Sequence, residues 1–96
     1  MKIQHSMFAL RARQNGLDEF RVALAAPRSL GGAVVRNRSR RRLREAFRAA
    51  IVELASGPGC DIVIVARPNT ASAPFADLRK AAATALGSLV ERVAAT

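Results

Sequence analysis

The sequence predicts an α+β fold: a small mixed sheet with a long crossover helix and a C-terminal helix packed on it as a two-layer sandwich. Three observations carry this reading. Apolar residues alternate with period two near the N-terminus, around Phe8 and again around Val22. The period lengthens to that of a helix over residues 33–55 and again after Pro74. Between the two helical stretches lies one short β-branched run, Asp61-Ile62-Val63-Ile64-Val65-Ala66-Arg67. The order strand, strand, helix, strand, helix belongs to one sheet with helices on it. A chain of 96 residues holds one core, and no composition shift marks a linker, so residues 1–96 are read as a single domain.

Each element has a local reason. Phe8, Leu10 and Ala12 fall on one face of an extended chain, with Arg11 and Arg13 on the other. Gln14-Asn15-Gly16 is a turn signal. Phe20, Val22 and Leu24 then share a face, and the two strands are expected to pair as an antiparallel hairpin around residues 14–19. Pro27 stops the pairing and Gly31-Gly32 makes a tight connection. Leu43, Phe47, Ala50, Ile51 and Leu54 recur at three- and four-residue steps as the buried stripe of the first helix. Ser56-Gly57-Pro58-Gly59 ends it. The β-branched run reads as a central strand covered on both faces. Pro68-Asn69-Thr70 is a turn, and Ser72 is the expected N-cap of the last helix, with Pro74 in its first turn. Phe75, Leu78, Ala82, Leu86, Leu89 and Val93 form its apolar stripe. Gly87 within it costs about 1 kcal/mol relative to Ala.

Composition removes several functions. Cys60 is the single cysteine and His5 the single histidine. No disulfide forms within the chain and no Cys/His zinc cluster can be assembled; a reduced, cytoplasmic setting is the expected one. No apolar run approaches the roughly 20 residues that span a bilayer, and residues 1–10 do not read as a signal peptide. The seven carboxylates are scattered, with only Asp18-Glu19 adjacent. A two-metal nuclease needs several that converge, so no catalytic residue is expected on the protein.

Charge is where the sequence is most specific. Sixteen Lys+Arg against seven Asp+Glu leave +9, and all but Lys2 and Lys80 of the cations are Arg. Arg36-Asn37-Arg38-Ser39-Arg40-Arg41-Arg42-Leu43-Arg44-Glu45-Ala46-Phe47-Arg48 holds seven Arg and one Glu. On a helix, Asn37, Arg41, Arg44 and Arg48 line one edge, and Arg38 and Arg42 lie on the outer side with Glu45 within reach of Arg41 and Arg42. Arg36 and Arg40 sit nearer the buried stripe. Crowded guanidinium groups repel, and salt screens over about 8 Å. A matching polyanion relieves the repulsion, and Arg suits phosphate through paired donors. Nucleic acid is therefore the expected partner.

The run from Val34 to Arg48 resembles the signature of the bacterial ribonuclease P protein subunit: an Arg-Asn-Arg core, further basic residues, then Arg-Glu-x-aromatic-Arg. Phe20-Arg21-Val22-Ala23-Leu24-Ala25-Ala26, Leu30-Gly31-Gly32-Ala33-Val34 and the Asp61–Arg67 run resemble the family's flanking segments. The resemblance implies the fold of the second domain of a small-subunit ribosomal protein, with the arginine helix joining two parallel strands by a left-handed crossover, against the usual hand. It implies binding to the catalytic RNA of the ribonucleoprotein and to the 5′ leader of precursor tRNA. There the RNA, with Mg²⁺, hydrolyses the phosphodiester, and the protein binds no cofactor and needs no obligate protein partner. By resemblance, Asn37, Arg41 and Arg44 face the leader cleft and Arg36-Asn37-Arg38 meets the catalytic RNA. Against the family pattern, the chain is expected to start at or just before the first strand, without the helix and Phe-containing segment that usually precede it. Arg28-Ser29 stands where members often carry a Lys-Lys pair.

The expected RNA-contacting set is thus Arg36, Asn37, Arg38, Arg40, Arg41, Arg44 and Arg48, with Arg28 in a loop and Arg21 and Arg67 on strands. Arg21 and Arg67 either border the cleft or reach past it to water. Phe8 either stacks on an unpaired base or packs in the core, whereas Phe20, Phe47 and Phe75 are expected in the core. Cys60 reads as an inert small residue and His5 as a terminal one. A generic ribosomal or DNA-associated module would use the same helix without a catalytic partner. The mixed strand and helix pattern argues against a membrane-surface helix.

Overall fold

The computed structural model describes residues 1–53 and 59–95, including side chains for all of these except residues 53 and 93–95. Strands β1 (Lys2–Gln4), β2 (Phe8–Gln14) and β3 (Arg21–Ala25) precede helix α1 (Ala33–Glu53), strand β4 (Cys60–Ala66) and helix α2 (Phe75–Ala95). The sheet order is β1-β2-β4-β3. β4 runs antiparallel to β2 and parallel to β3, so α1 is the crossover between two parallel neighbours.

The expected hairpin of β2 with β3 is corrected by this order: β4 lies between them, and β2 instead forms a hairpin with β1. The alternation in β2 and β3 satisfies either pairing, because both place Phe8, Leu10, Val22 and Leu24 on one face. β4 separates the two because its seven residues match β2 along its whole length, from Phe8 opposite Ala66 to Gln14 opposite Cys60. β1 has only three residues, too few to show alternation.

Both helices cover one face of the sheet. Phe8, Leu10, Ala12, Ile62 and Ile64 meet Leu43, Phe47 and Ala50 of α1 and Leu78, Ala82, Leu86 and Leu89 of α2 in one continuous core. The core is therefore aliphatic with two rings, Phe8 and Phe47, edge to face at 5.2 Å. The other face of the sheet is open. In β4, Cys60, Ile62, Ile64 and Ala66 are buried while Val63 is exposed. The expectation of a strand covered on both faces is corrected accordingly; β4 is central in the sheet but buried on one side. Leu54 and Ser56-Gly57-Pro58 lie outside the described residues, as does the side chain of Val93.

The entry to α1 depends on a glycine. A 3-10 turn, Arg28–Leu30, ends at Gly31, whose φ of 133° a side chain rarely adopts. Gly32 then accepts the first helical bond, from the amide of Arg36 at 3.1 Å. At the other end of the core, Thr70 is fully buried: its hydroxyl donates to the carbonyl of Met7 and accepts the amide of Arg67 at 2.9 Å. That bond ties the turn before α2 to the start of β2.

Candidate nucleic-acid interface

Packing decides which arginines are presented. Ser39, Leu43, Ala46, Phe47 and Ala50 are the buried positions of α1. The three- and four-residue spacing of that stripe leaves Asn37, Arg38, Arg41, Arg44 and Arg48 exposed. Ser39 satisfies its buried hydroxyl by donating to the carbonyl of Val35 at 2.9 Å. The expected edge of Asn37, Arg41, Arg44 and Arg48 is thus a solvent-facing row. The carboxylate of Glu45 pairs with Arg48 at 3.5 Å, rather than with Arg41 or Arg42, the partners that spacing alone suggests.

Two arginines of the run are tied to elements outside α1. Arg36 turns back to the sheet and donates Nε to the carbonyl of Ala26 at 3.0 Å, fixing α1 to the end of β3. Arg42 is corrected from the outer side of the helix to the junction with α2, where it donates to the carbonyl of Ala73 and stands 5.9 Å over the ring of Phe75. The 100° step per residue puts Arg42 well round toward α2, whose position the sequence alone does not fix. Arg40 donates to the side-chain oxygen of Asn37 at 3.0 Å, which orients the amide on the exposed row.

Beside that row runs a groove of about 320 Å³ between β3 and α1. Val22, Leu24, Ile51 and Val52 give it an apolar floor and Arg44 and Arg48 a charged rim. The arrangement offers flat apolar surface with guanidinium groups along one side, suited to a phosphate chain with bases turned inward. Arg28 is exposed in the turn before α1.

The remaining candidates divide differently. Phe8 is fully buried, stacked on His5 at 4.9 Å and packed edge-on against Phe47, so its ring offers no face to a base. Its place on the core face at the start of β2, between His5 and Phe47, is the reason. Phe75 moves the opposite way: it is 40% exposed rather than core, because it opens α2 at the edge of the seam with α1, beside Arg42. Arg21 makes a two-pronged bond to Asp61. Arg67 donates to the side chain of Gln4 on β1. Both are bound to the protein's own groups.

Sequence reasoning passes over the open sheet face. Lys2, Arg11 and Arg13 lie there around a depression of about 410 Å³ floored by Val63, with Asp61 the one carboxylate among its lining residues. The alternation already puts Arg11 and Arg13 opposite the core; only the four-stranded register shows that Lys2 stands beside Arg11. Among the described residues, no three His, Cys, Asp or Glu side chains come together to hold a metal ion, and no helix is long and apolar enough to cross a membrane. Burial raises the thiol of Cys60 above its usual value, with the charge of Asp61 adding to the effect, which fits an unreactive core residue.

A family model described as Ribonuclease P matches residues 1–90. The chain is 43% identical over 81 residues to the ribonuclease P protein component of Ruegeria pomeroyi, covering 78% of this chain and 64% of that protein. It is 41% identical over 80 residues to that of Caulobacter vibrioides, covering 83% and 53%. The solved RNase P protein of Thermotoga maritima superposes with a TM-score of 0.72 at 28% identity, over 96% of this chain and 82% of that one. The chain thus matches between about half and two-thirds of the length of these curated relatives.

Proposed function

The chain belongs to the ribonuclease P protein family, and from that premise we propose that it is the protein subunit of ribonuclease P, acting in 5′ maturation of tRNA. In this reading it binds the catalytic RNA and the 5′ leader of precursor tRNA. The observation that carries the proposal is the exposed row Asn37, Arg41, Arg44 and Arg48 bordering the apolar groove against β3.

The physical work is positioning and charge. Guanidinium groups held on a helix supply fixed positive charge where two RNA segments meet. That replaces part of the diffuse cation atmosphere the RNAs would otherwise require, so less Mg²⁺ is needed. The Mg²⁺ ions and the hydrolytic chemistry belong to the RNA, consistent with the dispersed carboxylates of this chain. Asn37, Arg41 and Arg44 take the leader along the groove, and Arg36 to Arg38 meets the catalytic RNA. The setting is the cytoplasm, with no membrane and no obligate protein partner.

Binding experiments test it. The cognate catalytic RNA should compete for the protein far better than a random duplex, and the reconstituted complex should hold precursor tRNA more tightly than mature tRNA. Equal retention of precursor and mature tRNA overturns leader binding. Equal competition by random duplex favours a general nucleic-acid-binding module instead.

A further inference from the structure

Phe75 keeps 40% of its surface exposed at the seam between α1 and α2. A lone exposed phenylalanine is unremarkable in a folded chain; this one has converging neighbours. The guanidinium carbon of Arg42 stands 5.9 Å from the ring centroid, and the same guanidinium donates to the carbonyl of Ala73. Cation and ring are therefore held in a fixed relation before any partner arrives. Arg79 follows one turn along α2. A groove of about 540 Å³ runs along the seam, lined by Glu45, Arg48, Ala49, Val52, Phe75 and Arg79. Among the described lining residues Glu45 is the one carboxylate, and it is matched by Arg48 at 3.5 Å, so no described carboxylate of the groove is paired with Arg79.

We propose that this seam is a stacking site for one unpaired nucleotide of an RNA partner, its base on the exposed part of the Phe75 ring and its phosphate between Arg48 and Arg79. The inference rests on the reading that the partner is RNA. An aromatic face flanked by arginines accepts a flat ring joined to an anion, and stacking on it is tolerant of base identity. A base within a duplex has both faces covered by its neighbours, so the nucleotide must be unpaired. Arg48 and Val52 line both this groove and the one against β3. The two surfaces are continuous around α1, and one RNA segment passing over Arg48 reaches both.

The chain contains no Trp and no Tyr, so a Phe75→Trp variant carries a single indole at the site. Oligoadenylate should quench its fluorescence, and an oligoadenylate–oligouridylate duplex of the same length should not. Phe75→Leu should bind oligoadenylate roughly 5- to 150-fold more weakly than wild type, the range expected for removal of one stack. Its salt dependence and duplex affinity should stay unchanged, and a thermal melt confirms that it folds. Arg79→Gln should lower the salt dependence instead. An unquenched indole at saturating oligoadenylate, or wild-type affinity in Phe75→Leu, overturns the seam site. The proposed function fails separately, if Arg41→Gln with Arg44→Gln leaves the preference of the reconstituted complex for precursor over mature tRNA intact. Failure of the wild-type chain to bind either oligonucleotide overturns the seam site as well.

Discussion

Arg21 meets Asp61 directly across the parallel β3–β4 pair, donating Nε to Oδ1 at 2.7 Å and Nη2 to Oδ2 at 2.9 Å. Asn15 adds a third bond to Oδ1 at 3.1 Å, and Arg13 lies 3.9 Å from the carboxylate. One acidic residue thus joins β3, β4 and the loop after β2. It also binds Arg21 to the protein, which sets that arginine apart from the exposed row on α1.

These bonds, that from Arg21 foremost, lower the carboxyl of Asp61 from 3.8 to about 2. The sign follows from linkage: a group whose folded value is depressed stabilises the fold above its unfolded value and loses that contribution as pH falls through the folded one. Asp61→Asn should therefore melt at a lower temperature than wild type near neutral pH. The gap should shrink between pH 3.8 and about 2 and close below it. Thermal melts across that range check this; a gap independent of pH would contradict it.

The arginines of α1 should separate by task. Arg36→Gln removes the bond to the carbonyl of Ala26 and should lower the melting temperature. Arg41→Gln leaves an exposed position and should melt as wild type does. In RNA-binding titrations, each arginine–phosphate pairing removed from the exposed row should flatten the slope of log affinity against log salt by about 0.7 to 0.9. Titrations of Arg41→Gln and Arg44→Gln at several salt concentrations read this directly.

Two glycines should respond with opposite sign. A Cβ on Gly59 would lie 2.1 Å from the carbonyl oxygen of Leu17 and 2.5 Å from Oδ1 of Asn15, so the loop beside Asp61 must shift. Gly59→Ala should cost more than about 1 kcal/mol in denaturant unfolding. A Cβ on Gly87, inside α2, would meet nothing within 4 Å. Gly87→Ala should stabilise by about 0.5–1 kcal/mol.

The two helical phenylalanines should differ in the same assay. Phe47 is 1% exposed and packs on Phe8, so Phe47→Ala should cost about 3–5 kcal/mol. Phe75, at 40% exposed, should cost clearly less. Equal losses would mean that Phe75 belongs to the core.

Period and charge made much of this molecule legible. The stripe Leu43, Phe47 and Ala50 follows from helical spacing, and its complement gives the exposed row Asn37, Arg41, Arg44 and Arg48. Pairing was harder to read, because alternation says which way a side chain points and nothing about which strand lies alongside. Phe8, Leu10, Val22 and Leu24 satisfy the hairpin and the observed order equally, and only β4 inserted between them decides. The same limit hid the meeting of Lys2 with Arg11 on the open face. The two phenylalanines at the ends of the reading, Phe8 and Phe75, depended on how far each element reaches over the core, which periodicity does not encode.

The arginine row is tested most directly by cleavage of precursor tRNA with the cognate catalytic RNA at low Mg²⁺. Three reactions suffice: RNA alone, RNA with this protein, and RNA with the Arg41→Gln, Arg44→Gln double variant. Stimulation by the wild-type protein is expected, with most of it abolished in the double variant and recovered when Mg²⁺ is raised. Equal stimulation by wild type and double variant at low Mg²⁺ would contradict the assignment of that row to RNA.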